Sequence, residues 1–347
     1  MTVAVASTSA TMGLSSEPPN LVLRPTTDAE IEQRLAALEG VLRSFGADHV
    51  TQASAEQLRR LVRFRASSEE MELPKQILAG VLILLHVLPN GTLGVTLTTR
   101  SAKLRAHPGD TALPGGKYDP GDATIEDIAL REANEEIGLS LATPSDLLQL
   151  TRLPSFASAS LLVVVPVVYL YTRKGPLPEW VKNEDEVEHI FTLPLHSLDP
   201  TRRTLSCPVE RASTKAPLDT DAPTQPHDAA HSDVDITLEY TYVDIPWLDN
   251  CPYRLRSFDS NALPSKISGL TADILLLLLR IADDRVGSDL VAPGEGGGER
   301  GGEEDWHAFA PGQMEWEDLV KRAIAEPRGP KAARIKYSRI VAGSTSQ

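Results

Sequence analysis

The sequence predicts one α/β domain carrying extensions. Three observations carry that prediction. Apolar residues recur at helical spacing early in the chain, the pattern changes to β-branched and alternating runs after residue 75, and a leucine-rich helical pattern returns near residue 275. With 347 residues and 41% hydrophobic content, the chain can bury a substantial core.

The net charge of −14 argues against coating nucleic acid or binding an anionic membrane, because a general negative field repels both. An anionic small-molecule substrate must therefore be met by a local basic patch or by metal ions. Cys207 and Cys251 are too few for a disulfide framework, and no Cys/His cluster has zinc spacing, so a reducing intracellular compartment is expected. The first twenty residues are Ser/Thr-rich without Arg or Lys, which reads as a disordered tail and not as a basic leader. Apolar runs are cut by Pro166 and closed by Arg280, so none reaches membrane-spanning length. The expectation is a soluble protein whose oligomeric state the sequence does not specify.

From Asp28 to Phe45, Ile31, Leu35, Leu38, Val41 and Leu42 fall on one helical stripe, and Thr27 or Asp28 can cap its start. A shorter helix is expected over Ser54 to Arg65. The runs "QILAGVLILLHVL" and "LGVTLTT" flank an Asn90-Gly91 turn and read as a hairpin. "SLLVVVPVVYLYT" reads as a buried strand, "EVEHIFTLPL" as a strand end leading into a loop, and "DITLEYTYVDI" as a further strand. Leu270 to Ala282 is the last well-patterned helix, and Trp247 and Tyr253 read as core residues. Residues 208–233 and 286–304 have the composition of disordered insertions. The expected organisation is a disordered tail over 1–27, a helical extension over 28–70, the main domain over 75–285, and a linker with C-terminal tail over 286–347.

The stretch "LPGGKYDPGDATIEDIALREANEEIGLS" places seven carboxylates against two cations. Thr124 to Ile137 reads as a helix, with Thr124 and Asp127 as a capping box and Gly138 as a left-handed C-cap. At helical spacing Glu132 and Glu136 share a face with Glu135 beside them, while Glu126, Leu130, Ala133 and Ile137 lie opposite. Such crowding raises carboxylate pKa values unless a cation is present. A merely solvated face is the bland reading; a glycine turn followed by a carboxylate helix also suits hard cations bridging a diphosphate.

"GGKYDPGD" with "REANEEIGL" resembles the Nudix box. It departs by one extra residue between Asp122 and Arg131 and by Asp122 in place of Glu. The longer spacing and the Asp119-x-x-Asp122 pair resemble the coenzyme A diphosphatase branch of the Nudix hydrolases. "LTTRSAKLRAHPGDTALPGG", "NEDEVEHIFTLPL" and "KISGLTADIL" resemble three further motifs of that branch in order, with Asp110, Leu113 and Ser268 where Glu, Phe and Trp are usual. The resemblance runs from about Leu78 to Ala282.

The resemblance implies an α/β/α sandwich on a mixed β-sheet, and an enzyme that hydrolyses the diphosphate bond of coenzyme A or acyl-coenzyme A. It implies Mg²⁺ or Mn²⁺ held by Glu132, Glu135 and Glu136, where the ions would offset repulsion and acidify an attacking water. Arg131 is read as orienting a glutamate, and Glu186 as the general base, with Glu184 and Glu188 as competing neighbours. Arg100, Arg105, Gly115, Gly116 and Lys117 are the candidate substrate-binding residues, although Lys117, like Lys103, could be ordinary surface charge. His107 could meet phosphate or serve the loop, and Asp119 and Asp122 could be acceptors behind the site or turn residues. Better activity at mildly alkaline pH is expected. Alternatives are another nucleoside diphosphate derivative as substrate, such as an oxidised dNTP, ADP-ribose or NADH, and a non-catalytic binding or scaffold protein. Family analogy suggests a peroxisome or mitochondrion.

Overall fold

A computed structural model describes residues 19–200, 238–285 and 308–325, apart from 47, 176 and 179. The expected insertions at 208–233 and 286–304 lie outside these residues. The described chain opens with strand β1 (Asn20–Leu23), helices α1 (Asp28–Phe45) and α2 (Gln52–Arg63), and strand β2 (Met71–Pro74). Strands β1 and β2 pair antiparallel, from Asn20 opposite Pro74 to Leu23 opposite Met71. Of the tail expected over 1–27, residues 1–18 lie outside the described residues, and Asn20–Leu23 is a strand instead: burial of Leu21 and Leu73 against the domain gives it a reason to order.

Local chemistry sets the helix ends. The Glu30 N–H donates to the Thr27 hydroxyl at 3.2 Å and the Thr27 N–H donates to the Glu30 carboxylate at 2.7 Å, a reciprocal cap on α1. Thr51 caps α2 through the Ser54 N–H, so this helix begins two residues before the expected Ser54.

The main sheet follows: β3 (Leu78–Val87), β4 (Leu93–Arg100), β5 (Thr111–Ala112), β6 (Gly115–Lys117), helix α3 (Ile125–Ile137), β7 (Leu147–Arg152), β8 (Phe156–Ala157), β9 (Val163–Tyr171) and β10 (Val187–Pro194). Its order is β10-β4-β3-β9-β7, with the short strands β5, β6 and β8 pairing β4, β3 and β9. Strands β3 and β9 run parallel while the other pairs are antiparallel, so the sheet is mixed. The segment expected as a strand end is a full strand, β10, on one flank of the sheet. Strands β11 (Glu239–Pro246), β12 (Pro252–Asp259) and β13 (Ile267–Ser268) form a separate antiparallel sheet, followed by α4 (Leu270–Ala282) and α5 (Trp316–Ala325).

Two cores sit on the two faces of the main sheet. Leu38 of α1, Leu58, Leu61 and Val62 of α2, and Leu275 and Leu278 of α4 pack with Ile83, Leu85, Val95 and Leu97. Ile128, Ala129 and Ala133 of α3, with Leu319 and Val320 of α5, pack with Leu82, Leu84, Val165 and Val167. This is the expected α/β/α sandwich, and its strands alternate their side chains between two apolar layers. The region expected as a C-terminal tail therefore contains a packed helix. The Trp316 ring meets Phe156 edge-on at a centroid distance of 4.9 Å. Arg256 of β12 and Asp273 of α4 form a buried ion pair at 2.7 Å, completed by the Tyr253 hydroxyl at 2.5 Å.

Helix α3 lies close to the sheet because Gly80 faces it. A side chain there would place its Cβ 2.9 Å from the Ile125 carbonyl oxygen and 3.1 Å from Ile128 Cβ. The helix starts on the Thr124–Asp127 capping box and stops at Gly138, whose φ of 67° is left-handed.

Candidate active site

Strand β6, the C-terminal half of α3 and the turn before β10 meet beside the glycine pair. The Gly115 N–H donates to Glu136 Oε2 at 3.0 Å. At Gly116 a Cβ would fall 2.4 Å from the Glu132 carboxylate, so that carboxylate occupies the room the missing side chain leaves. The Asn183 N–H donates to the Glu136 carbonyl at 2.9 Å, and the Asn183 carbonyl accepts from the N–H groups of Glu186 and Val187. This turn brings half-buried Glu186 towards the helix, while Glu184 and Glu188 are exposed.

Burial pushes the Glu136 carboxyl up to about 8; the Gly115 N–H and Arg100 act against the rise, whereas Glu132 and Glu186 add to it. Glu132 is also raised, by burial first, with Glu135 and Glu186 contributing and Arg131 opposing. Glu132, Glu136 and Glu186 thus share one electrostatic environment, with Arg100 at its edge.

Arg131 organises the outer side. Its Nε and Nη2 donate to the two oxygens of Asp122 at 3.1 and 3.0 Å, its Nη1 donates to Glu132 and Glu135 at 3.1 Å each, and Nη2 also reaches the Lys117 carbonyl at 2.9 Å. Asp122 is buried and accepts from the Asp119 N–H as well, so it holds the arginine and closes the turn before the helix. Sequence reasoning left Asp122 between two roles, and the structure gives it both.

The expected convergence of Glu132, Glu135 and Glu136 is only partly present. Among the described residues no three His, Cys, Asp or Glu side chains form a ready metal group. The cause is Arg131, which draws Glu135 outward and neutralises Glu132, while Glu136 is turned inward onto Gly115. Of the apolar trio expected to face the sheet, Ala133 and Ile137 are buried and Leu130 is half-buried, with Glu126 at the helix flank. Glu126 accepts from Gln149 at 2.8 Å and lies 3.6 Å from Arg152, and the buried stripe is Ile125, Ile128, Ala129, Ala133 and Ile137.

The basic residues are carried by the connection between β4 and β5. The Arg100 N–H donates to the Asp110 carbonyl and the Gly109 N–H to the Arg100 carbonyl, closing its neck. Arg105 is exposed on the loop, and Lys117 is exposed on β6. Lys103 pairs with Asp185 at 2.9 Å, and the Ser101 N–H donates to the Glu186 carbonyl at 2.9 Å, tying the loop to the Glu186 turn. His107 is bound to Asp110 at 3.0 Å within the loop. A cavity of about 500 Å³ lies elsewhere, on the flank of α3 bounded by Leu130, Leu147, Gln149 and Tyr169. It is also lined by Asp122 and Arg131, but by neither Glu132 nor Glu136.

The family model of the NUDIX domain matches residues 79–208. The chain is 42% identical over 130 residues to Nudix hydrolase 15, mitochondrial, of Arabidopsis thaliana, covering 36% of this chain and 43% of that protein. It is 42% identical over 118 residues to the peroxisomal coenzyme A diphosphatase ndx-8 of Caenorhabditis elegans, covering 34% and 48%. It is 37% identical over 177 residues to Nudix hydrolase 22, chloroplastic, of Arabidopsis thaliana, covering 50% and 52%. The chain spans about half the length of these curated relatives.

Proposed function

We propose, from the premise that residues 79–208 are a Nudix domain, that the protein is a metal-dependent diphosphatase acting on coenzyme A or acyl-coenzyme A. The products are adenosine 3′,5′-bisphosphate and phosphopantetheine or its acyl form. The observation that carries the reading is the meeting of Glu132 and Glu136 at the Gly115-Gly116 turn, with the Glu136 carboxylate on the Gly115 N–H and the Glu132 carboxylate against Gly116. The coenzyme A part is supported by the four ordered motifs and by the printed name of the C. elegans relative.

The donor set suits a hard divalent cation such as Mg²⁺ or Mn²⁺, because every candidate ligand is a carboxylate and, among the described residues, Glu136 is buried without a counter-cation bonded to it. Glu132, Glu135 and Glu136 are the residues that would hold it. When bound, the ion supplies charge neutralisation of the diphosphate and acidifies water. The chain's own residues supply position. Arg131 fixes Glu132 and Glu135, the backbone at Gly115 and Gly116 lets phosphate approach closely, and Arg100 and Arg105, with Lys117, meet the anionic substrate.

In the hydrolysis, the water oxygen bonds to one phosphorus as that phosphorus parts from the bridging oxygen, which leaves with the electron pair as phosphate. Glu186 accepts the water proton. The leaving oxygen needs little protonation, so electrostatic stabilisation is the larger contribution.

The test is product analysis by mass spectrometry after incubation with coenzyme A, acetyl-coenzyme A, NADH, ADP-ribose and 8-oxo-dGTP, with Mg²⁺ or Mn²⁺ and a Glu135→Gln control. Adenosine 3′,5′-bisphosphate from coenzyme A in the wild type alone supports the full reading. Cleavage of the other substrates only would retain the diphosphatase and discard coenzyme A, an outcome that Ser268 in place of Trp makes worth testing. Binding without any turnover would favour a non-catalytic Nudix-fold protein. The compartments in the relatives' names are proposals for this chain, to be tested by fractionation. Among the described residues no helix is long and apolar enough to cross a membrane.

A further inference from the structure

We infer that Ser265 is a positioning residue for the basic loop, acting through the threonine pair at the loop's neck. Thr99 of β4 and Thr111 of β5 are cross-strand partners, and they bracket the connection that carries Arg100 and Arg105. Both threonines are 3% exposed. Ser265 comes from the segment between β12 and β13, far away in sequence, and its hydroxyl lies 3.0 Å from Thr99 Oγ1 and 2.7 Å from Thr111 Oγ1. The Thr111 hydroxyl also donates to the Ser265 carbonyl at 3.0 Å, and the Thr271 hydroxyl in the first turn of α4 donates to the Thr111 carbonyl at 3.3 Å.

One residue therefore grips both sides of the neck, at the residue pair next to Arg100 and Asp110. The loop is also tied to the Glu186 turn by the Ser101 N–H and by Lys103 with Asp185, but that ion pair is open to water and contributes little. The part-buried hydroxyl cluster is the stiffer restraint: removing the Ser265 hydroxyl takes away the partner of the Thr99 hydroxyl, which is 3% exposed, and leaves Thr111 only the residue 265 carbonyl. Behind it, α4 is fixed by the buried Asp273–Arg256 pair, so the grip is mounted on a rigid element. By fixing the neck, Ser265 sets where Arg100 and Arg105 stand relative to Glu136 and Glu186. The inference rests on the proposed role of Arg100 and Arg105 in binding the anionic substrate.

The test compares wild type, Ser265→Ala and Ser265→Thr, with two readouts. Amide hydrogen exchange across residues 100–110 needs no substrate. The expected result is faster exchange in Ser265→Ala at the Arg100 and Gly109 amides, and near wild-type protection in Ser265→Thr, which keeps the hydroxyl. Steady-state kinetics should then show KM for the substrate raised about threefold to tenfold with kcat within about twofold, the signature of lost binding and intact chemistry. Combining Ser265→Ala with Arg105→Ala should raise KM by less than the product of the single effects. Unchanged exchange in the loop would overturn the inference. Faster exchange with unchanged KM would overturn its link to substrate. If the wild type hydrolyses none of the diphosphates, the functional reading fails and the exchange experiment still decides whether Ser265 holds the loop.

Discussion

Glu136 accepts the Gly115 N–H at 3.0 Å, so the helix that carries the carboxylates is fastened to the glycine turn by a residue that is 7% exposed. That single bond opposes, without cancelling, the burial that pushes Glu136 up to about 8. A carboxyl raised from 4.5 contributes stability that is fully present below pH 4.5 and lost as pH rises through about 8. In metal-free protein, Glu136→Gln should remove this loss and raise Tm at pH 8.5 by roughly 2–6 °C, while leaving pH 4.5 little changed. The same variant should lose diphosphatase activity. Scanning calorimetry at the two pH values, with EDTA present, checks the sign; a lower Tm at pH 8.5 would contradict it.

Gly116→Ala should separate fold from chemistry. Its Cβ would meet the Glu132 carboxylate at 2.4 Å, and that carboxylate is the end of a movable side chain. The helix can stay in place while Glu132 is displaced, so kcat/KM should fall about tenfold to a hundredfold with little change in urea midpoint. Gly80→Ala should do the reverse, because the atom it meets at 2.9 Å is the Ile125 backbone carbonyl, and destabilisation of about 1–3 kcal/mol is expected. Paired kinetics and urea titrations distinguish the two.

Replacing Arg131 by lysine keeps the charge and removes the fork. Lysine cannot hold both Asp122 oxygens while also bonding Glu132, Glu135 and the Lys117 carbonyl. We expect kcat/KM to fall about tenfold to a hundredfold and the Mn²⁺ concentration for half-maximal activity to rise. A wild-type metal dependence in Arg131→Lys would show that charge alone suffices.

His86 on β3 is 4% exposed, neither ring nitrogen meets a partner among the described residues, and burial lowers its pKa from 6.5 to about 4. The unfolded chain therefore takes up a proton that the folded chain refuses between pH 6.5 and about 4, and stability falls as the pH drops through that window. The contribution is about 3 kcal/mol at its full extent. His86→Leu should flatten the acid limb of a pH–stability curve by that amount. An unchanged slope would place the acid sensitivity in other groups.

The sequence by itself determined the α/β class, the termini of α1, α3 and α4, the Asn90-Gly91 hairpin and the Nudix-like acidic segment. These features are written locally: caps, hydrophobic period and turn chemistry depend on residues a few positions apart. Tertiary structure decided what depends on distant partners. Ordering of Asn20–Leu23 required β2 some fifty residues later, and α5 required the surface of β8 and β9. Helical spacing put Glu132, Glu135 and Glu136 near one face, but only packing turned Glu136 inward to Gly115 and gave Glu135 to Arg131. No spacing rule could have found Ser265, since a hydroxyl has no sequence signature until the fold sets it between Thr99 and Thr111. Backbone hydrogen bonds and side-chain period act over a few residues, whereas burial and desolvation are set by whatever the fold places across the gap, and those set the charge states and positions of the site.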